Sequence, residues 1–547
     1  MGNSDDLTTI PAAFAATVKA YPDAEAVVFG ATRLTYTQLA YQVRLAARAL
    51  LASGVKKHDR VAVWAPNSDL WVVTALAIVS TGAIVVPVNT RLKGAEARYI
   101  LEASRASLLF VQDGFLDLAL VDMLREGSEA PSLESPVSLL PELKEIVVFG
   151  SSELAHVTMF EAFLQRAEAV SDELADEVEA SVTPNDVSDI IFTSGTTGRP
   201  KGAELLHGQT VRLYTFWSDT VGLKAGDRFL GVNPFFHCFG YKAGLLATVL
   251  RGATLLPVSV FDAVNTMTLI AAENINIAPG TPTLYISLLD HPRRHEFDLS
   301  SLRVAVTGGS VVPTVLIQRM RNDLGFQTVI NAYGLTESCG FATSCHADDS
   351  DDIIANTSGR AVEGTEVVIA GSEGELLGPG EAGEVLVRGY NVMAGYYENP
   401  EATAGTIDAD GWLHTGDVGV LDTNGNLKIT DRTKDMYVVG GYNTYPAEIE
   451  QVIMHHDSVS EVAVIGVADD RMGEVGMAYV VLRPNEELGE GELIEYSRER
   501  MANYKVPRFV KVVASLPRNG SGKVDKLALR QKAAADAQLA TDDSLQR

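Results

Sequence analysis

With 547 residues the chain exceeds the roughly 100–200 residues of a common domain, so at least two globular units are expected. Hydrophobic residues make up 46%, enough for real cores, while 44 Lys and Arg against 71 Asp and Glu give a formal charge of −27 that opposes nucleic acid and anionic membrane surfaces. A small-molecule ligand is the expected partner, and three cysteines (Cys238, Cys339, Cys345) with no CxxC pair signal neither a disulfide framework nor a strong zinc site, which fits a reducing cytoplasm.

Asp5 and Asp6 stand where a secretory signal would carry positive charge, so no export signal is expected. Leu39, Val43, Ala46 and Leu50 repeat at helical spacing with Gly54 as a stop, and residues 60–64 read as a strand. The uncharged stretch 70–90 is long enough to cross a bilayer, but Ser80-Thr81-Gly82 divides it and 84–88 is β-like. It predicts a helix over 69–79, a turn and a buried strand over 83–88. A helix over 98–103 and a strand over 107–111 continue the alternation, so the large N-terminal part is α/β, with sheets covered by helices. Further strands are predicted over 190–192 and 304–307. The character changes around 429–432. Beyond it, strands over 461–467, 477–482 and 509–513 alternate with helices over 447–454 and 493–501, giving an α+β unit of about 110 residues. The division expected is therefore 1–431 and 432–547, with the polar tail from 533 to 547 disordered.

The most informative segment follows the strand 190–192: Thr193-Ser194-Gly195-Thr196-Thr197-Gly198-Arg199-Pro200-Lys201-Gly202. Its glycines let the backbone approach phosphate oxygens, its hydroxyls donate hydrogen bonds, and Lys201 offsets negative charge. An ordinary Gly/Ser/Thr loop is the plainer alternative. A P-loop is excluded, because Arg199-Pro200-Lys201-Gly202 lacks the Ser or Thr that would hold Mg²⁺, and Gly522-Lys523-Val524 lacks it too, with Pro517 in place of the first glycine.

Residues 193–202 resemble the phosphate-loop signature of the adenylate-forming superfamily, which includes acyl-CoA synthetases, adenylation domains and beetle luciferases. Tyr333-Gly334-Leu335-Thr336-Glu337, Trp412-Leu413-His414-Thr415-Gly416-Asp417, Asp431-Arg432-Thr433-Lys434-Asp435 and Pro517-Arg518-Asn519-Gly520-Ser521-Gly522-Lys523 resemble later motifs of that family in the same order. The resemblance implies a large N-terminal domain and a small mobile C-terminal one. It also implies an AMP-forming acid:CoA ligase that uses ATP, Mg²⁺ and coenzyme A.

Residue roles follow from the same resemblance. Thr193, Ser194, Gly195, Thr196, Thr197, Gly198 and Lys201 would hold the phosphates. Tyr333 would stack on adenine beside Gly334, with Thr336 at the α-phosphate and Glu337 on the metal. Activation brings two anions together, which makes cations and a divalent metal chemically necessary. Asp417 can accept both ribose hydroxyl protons, as carboxylates do at dinucleotide sites, and Arg432 would add a ribose or phosphate contact. Lys523 would bridge the carboxylate and α-phosphate, and Lys434 would be the hinge. Gly309, in Gly308-Gly309-Ser310, would line adenine and the acyl pocket, although these glycines equally suit a tight strand exit. His237, within 233–241, would gate the acyl site or position the carboxylate, its plainer alternative being a core histidine.

Near His237, residues 235–244 hold no carboxylate to pair with an α-ammonium, so a non-amino acid is favoured. The run 233–244 resembles actinobacterial ligases that activate a propionate side chain on a degraded steroid ring system, a place in steroid catabolism and lipid metabolism. Fatty and aromatic acids stay open. An enzyme loading a carrier protein, a luciferase-like oxidase and a binding module are the alternatives. Free CoA and a small carboxylic acid are the expected partners, and a homo-oligomer is compatible with them.

Overall fold

The computed structural model describes residues 8–125, 140–154, 156–193, 200–308, 312–432, 435, 437–439, 442–444, 446–469, 472–501, 503–518 and 523–545. The chain is mixed α/β, with a large N-terminal part and a smaller C-terminal one. Its first long helix, Tyr36–Ala52, starts at a capping box between Thr35 and Gln38 and buries Leu39, Val43, Ala46 and Leu50. The stretch 70–90 resolves into helix Asp69–Ser80, capped by Ser68, and strand Ile84–Pro87. Every residue of that helix from Trp71 on is buried, because it lies between two sheets rather than on a surface. Among the described residues, no helix is long and apolar enough to cross a membrane.

One sheet runs, in spatial order, through Gly395–Tyr396, Lys201–Leu206, Val187–Thr193, Ile84–Pro87, Arg60–Trp64, Leu108–Val111, Glu145–Val148 and Thr158–Met159. The other contains the parallel run Thr328–Tyr333, Val304–Gly308, Ile277–Pro279, Arg228–Gly231, Thr254–Pro257. Val61, Val63, Val85 and Ile191 of the first share one core with Leu255, Ile277, Val304 and Val306 of the second. A third, antiparallel sheet of Thr365–Ala370, Ala382–Gly389, Leu413–Leu421 and Leu427–Arg432 stands beside them.

The C-terminal sheet is built on Val459–Asp469 and Gly473–Leu482, with Phe509–Val512 added in parallel. Helices Pro446–Ile453 and Glu490–Arg498 place Ile449, Ile453 and Leu493 in its core. Gln451 Nε2 donates to Asn356 Oδ1 at 2.9 Å, joining this unit to the larger one. Helix Gly94–Ala103 starts a turn earlier than the 98–103 pattern, since Glu96 reaches back to the backbone of Lys93. The tail differs more: a helix spans Lys526–Leu545 where disorder was expected. Asp525 accepts from Ala528 N at 3.0 Å at its start, and Leu529 and Ala533 are buried against the sheet. Its many alanines carry high helix propensity, which weighs more than its polarity.

Candidate active site

Strands Val187–Thr193 and Lys201–Leu206 are antiparallel partners, with Thr193 directly opposite Lys201. The segment between them is the expected phosphate loop. Its members Ser194, Gly195, Thr196, Thr197 and Gly198 lie outside the described residues. Thr193 Oγ1 meets the Lys201 carbonyl at 3.5 Å. A Cβ on Gly202 would stand 2.5 Å from Ile190 Cγ2, so the return strand needs glycine there.

Lys201 Nζ sits 5.0 Å from the ring centroid of Tyr396, whose strand pairs with Lys201–Leu206. The Tyr396 hydroxyl donates to Glu337 Oε1 at 2.7 Å, and Met393 N donates to the Glu337 carbonyl at 2.8 Å. Burial and then the Glu337 charge push the Tyr396 hydroxyl well above its usual pKa, so it stays a donor. Glu337 and Thr336 lie in the single turn Thr336–Ser338, which Cys339 ends at φ +57°. Sequence reasoning did not single out Tyr396, because a tyrosine on a two-residue edge strand carries no pattern of its own.

Tyr333 ends strand Thr328–Tyr333, and its hydroxyl donates to Asp417 Oδ2 at 2.6 Å. Asp417 is 5% exposed, and its backbone N–H is held by Thr415 Oγ1 at 3.1 Å. Arg432 is the cross-strand partner of Asp417. The residues expected at adenine and ribose are thus brought together. A Cβ on Gly334 would lie 2.5 Å from the Gly340 carbonyl, so this glycine lets the two arms of the Glu337 turn close. Gly309 and Lys434 lie outside the described residues.

His237 precedes a short helical turn that continues into a π-helical stretch, Tyr241–Leu246, with Tyr241 N bonded to the His237 carbonyl at 2.8 Å. Such π turns are frequent at functional sites. Asn67, also unforeseen, pins the preceding loop: its Nδ2 donates to the Gly231 and Asn233 carbonyls, and its Oδ1 accepts from Phe235 N at 2.8 Å. Trp71 packs on Phe235 and Tyr241, both at 5.2 Å between centroids. Burial, and secondly the charge of Lys523, lower His237 to about 4, so its imidazole is neutral near pH 7. Its Nε2 is buried with no hydrogen-bond partner among the described residues. Lys523 of the C-terminal unit and His237 are therefore electrostatic neighbours.

An AMP-binding enzyme model matches residues 14–397, and an AMP-binding enzyme C-terminal domain model matches 448–523. The chain belongs to the AMP-binding enzyme family. It is 48% identical over 526 residues to a 3-[(3aS,4S,7aS)-7a-methyl-1,5-dioxo-octahydro-1H-inden-4-yl]propanoyl:CoA ligase of Rhodococcus jostii (strain RHA1), covering 96% of this chain and 99% of that one. A ligase of the same name from Mycobacterium tuberculosis (strain ATCC 25618 / H37Rv) is 47% identical over 527 residues, covering 96% and 99%. The crystal structure of the anthranilate CoA ligase AuaEII in complex with anthranoyl-AMP superposes with a TM-score of 0.88 at 28% identity, covering 98% of this chain and 100% of that one. The chain is an acid:CoA ligase of the adenylate-forming fold that uses ATP and CoA. These relatives favour free CoA over the carrier-protein and oxidase alternatives.

Proposed function

We propose that this ligase activates the propanoate side chain of a bicyclic, steroid-derived acid in the cytoplasm. The observation that carries this reading is the near full-length identity to two ligases named for such a substrate. Residues 233–244 support it, since the segment that resembles those ligases is the one that Asn67 and Trp71 pack around.

In the first half-reaction an acid oxygen attacks the α-phosphorus of ATP, the bond to pyrophosphate breaks, and an acyl-adenylate forms. In the second, the CoA sulfur attacks the acyl carbon, AMP leaves with the bonding pair, and the thiol proton is lost. Thr193, Lys201 and the loop between them bind the phosphates. Tyr333, Asp417 and Arg432 hold the nucleoside, and Gly309 lines it. His237, neutral, offers its ring to the substrate carboxylate. Lys523 places a compact ammonium between carboxylate and phosphate.

Mg²⁺ fits the donors present. Among the described residues no cluster of three or more metal-ligating side chains exists, and Glu337 is a single carboxylate fixed through one oxygen by Tyr396. Mg²⁺ is commonly held by one or two carboxylates plus substrate phosphates, and would neutralise phosphate charge here. We place the domain boundary at 431/432 with Lys434 as hinge, so that rotation exchanges the two half-reactions.

A panel of acids scored by CoA consumption tests the substrate. A bicyclic propanoate is expected to exceed hexanoate and benzoate in kcat/KM, with free amino acids inactive. Strong activity on palmitate and none on bicyclic acids overturns the reading.

A further inference from the structure

In the middle of the larger core, Lys242 Nζ and Asp189 Oδ1 form an ion pair at 2.8 Å with both side chains 0% exposed. Nζ also donates to Thr210 Oγ1 at 2.7 Å, and Ser188 Oγ donates to Asp189 Oδ1 at 2.8 Å. Asp189 Oδ2 has no hydrogen-bond partner among the described residues. A buried pair loses in desolvation much of what attraction returns, and apolar residues of similar volume often serve stability as well. Stability alone therefore gives no reason for charge at this point.

The segments that the pair joins give one. Asp189 lies on strand Val187–Thr193, on the same face as Ile191 and Thr193, four residues before the start of the phosphate loop. Lys242 belongs to the π turn Tyr241–Leu246, which continues from His237. Thr210, on helix His207–Thr220, lies 3.7 Å from Cys339 Sγ, and Tyr214 of that helix donates to the Cys339 carbonyl at 2.8 Å. Cys339 closes the turn that carries Thr336 and Glu337. Burial, the largest single effect, pulls the Lys242 ammonium down, yet Asp189 together with Cys339 and Cys238 holds its pKa above the usual value, so Lys242 stays charged.

We propose that Lys242, with Asp189 and Thr210, is a positioning node that locks the phosphate-loop strand, the His237 segment and the Glu337 turn into one register for adenylation. None of the three touches substrate. The node rests on the roles proposed above for Thr193, His237 and Glu337. Two charges and one hydroxyl in an apolar core have few ways to be satisfied, which makes such a node stiff. Aliphatic replacements would fill the space but allow the segments to slide.

The test is the double variant Lys242→Met/Asp189→Leu, which leaves no unpaired charge behind, and the single variant Thr210→Val, which removes one hydroxyl at nearly constant shape. Thermal melting is measured first. ATP–pyrophosphate exchange is then followed against acid and ATP concentration, and acyl transfer to CoA is followed from chemically made acyl-adenylate. The double variant is expected to melt within a few degrees of the parent, yet to lose about tenfold or more in exchange kcat with a raised KM for the acid, as small misplacements do. Transfer from the preformed adenylate should stay within about threefold, because the phosphate geometry no longer matters there. Thr210→Val should move exchange the same way by about threefold. A folded double variant with parental kcat and KM, or equal loss in both half-reactions, overturns the proposal. If the double variant does not fold, Thr210→Val decides, and parental exchange kinetics in it overturn the proposal. A parent chain that exchanges with no acid of the panel would instead overturn the functional reading itself.

Discussion

Tyr396→Phe separates two contacts that meet at one ring. The hydroxyl bonds Glu337 at 2.7 Å, while the ring face carries Lys201 at 5.0 Å. A hydrogen bond to a charged group contributes about 1.5–3 kcal/mol. Only the share that grows as charge develops on the phosphates affects kcat. Taking about half of the middle of that range gives about 1.1 kcal/mol, or about sixfold in adenylation rate. Phe keeps the ring under Lys201, so Tyr396→Leu should cost a further few-fold, the size of a lost cation–π contact of about 0.5–1 kcal/mol. Glu337→Ala sets the outer bound at about 10²-fold, as for removal of one transition-state electrostatic group. The assays are ATP–pyrophosphate exchange across a Mg²⁺ titration and Mn²⁺ binding in the presence of ATP, read by electron paramagnetic resonance. Tyr396→Phe should require more metal in both. Parental exchange and metal binding in a normally melting Tyr396→Phe would refute the orientation of Glu337 by this hydroxyl.

Lys523→Ala should nearly abolish exchange while still transferring the acyl group from made acyl-adenylate to CoA; loss of both would point to a damaged C-terminal unit. Lys434→Pro, which fixes φ at the proposed hinge, should impair thioester formation more than exchange, and equal loss in both would count against the hinge. His207, fully buried with Nδ1 accepting from Ile10 N at 3.3 Å, has its pKa lowered to about 3, chiefly by burial and against the charge of Asp186. The unfolded chain takes up this proton as pH falls through 6.5 and the fold refuses it, so the contribution is present above 6.5 and declines toward pH 3. By pH 5 the loss is on the order of 2 kcal/mol, and His207→Asn, which keeps an acceptor for Ile10, should flatten the difference between urea midpoints at pH 7.5 and 5.

Much of the fold was legible because its determinants are local. The division of 70–90 by Ser80-Thr81-Gly82 separates helix Asp69–Ser80 from strand Ile84–Pro87, and Gly54 ends the pattern that forms Tyr36–Ala52. The tail was misread because composition cannot show that Leu529 and Ala533 find a sheet to cover. Contiguous motifs singled out Tyr333, Glu337 and Asp417 as candidates, and the fold sets Tyr333 against Asp417. What sequence could not show were partners far apart in the chain. Tyr396 lies 59 residues from Glu337, and Lys242 lies 53 from Asp189. An isolated lysine in Phe239-Gly240-Tyr241-Lys242 reads as a polar face until the fold buries it.

The setting of His237 sharpens what Lys523→Ala must do. Acid and ATP are both anions, the chain itself carries −27, and His237 is uncharged near neutral pH, so it can orient a carboxylate but cannot offset its charge. In the role proposed above Lys523 supplies the charge, and by repulsion it is the second cause of the low His237 pKa. Removing it takes away that cause and leaves the larger one, burial. The His237 pKa should then rise from about 4 but stay short of its ordinary 6.5. The residual exchange activity of Lys523→Ala, measured from pH 4 to 8 in buffers of constant ionic strength, should therefore show its acid limb displaced to higher pH. Glu337→Ala should leave that limb where it is. A surface lysine remote from the acyl site would lower nothing and shift nothing, and an unmoved acid limb together with low activity would mean that Lys523 acts at a distance from His237.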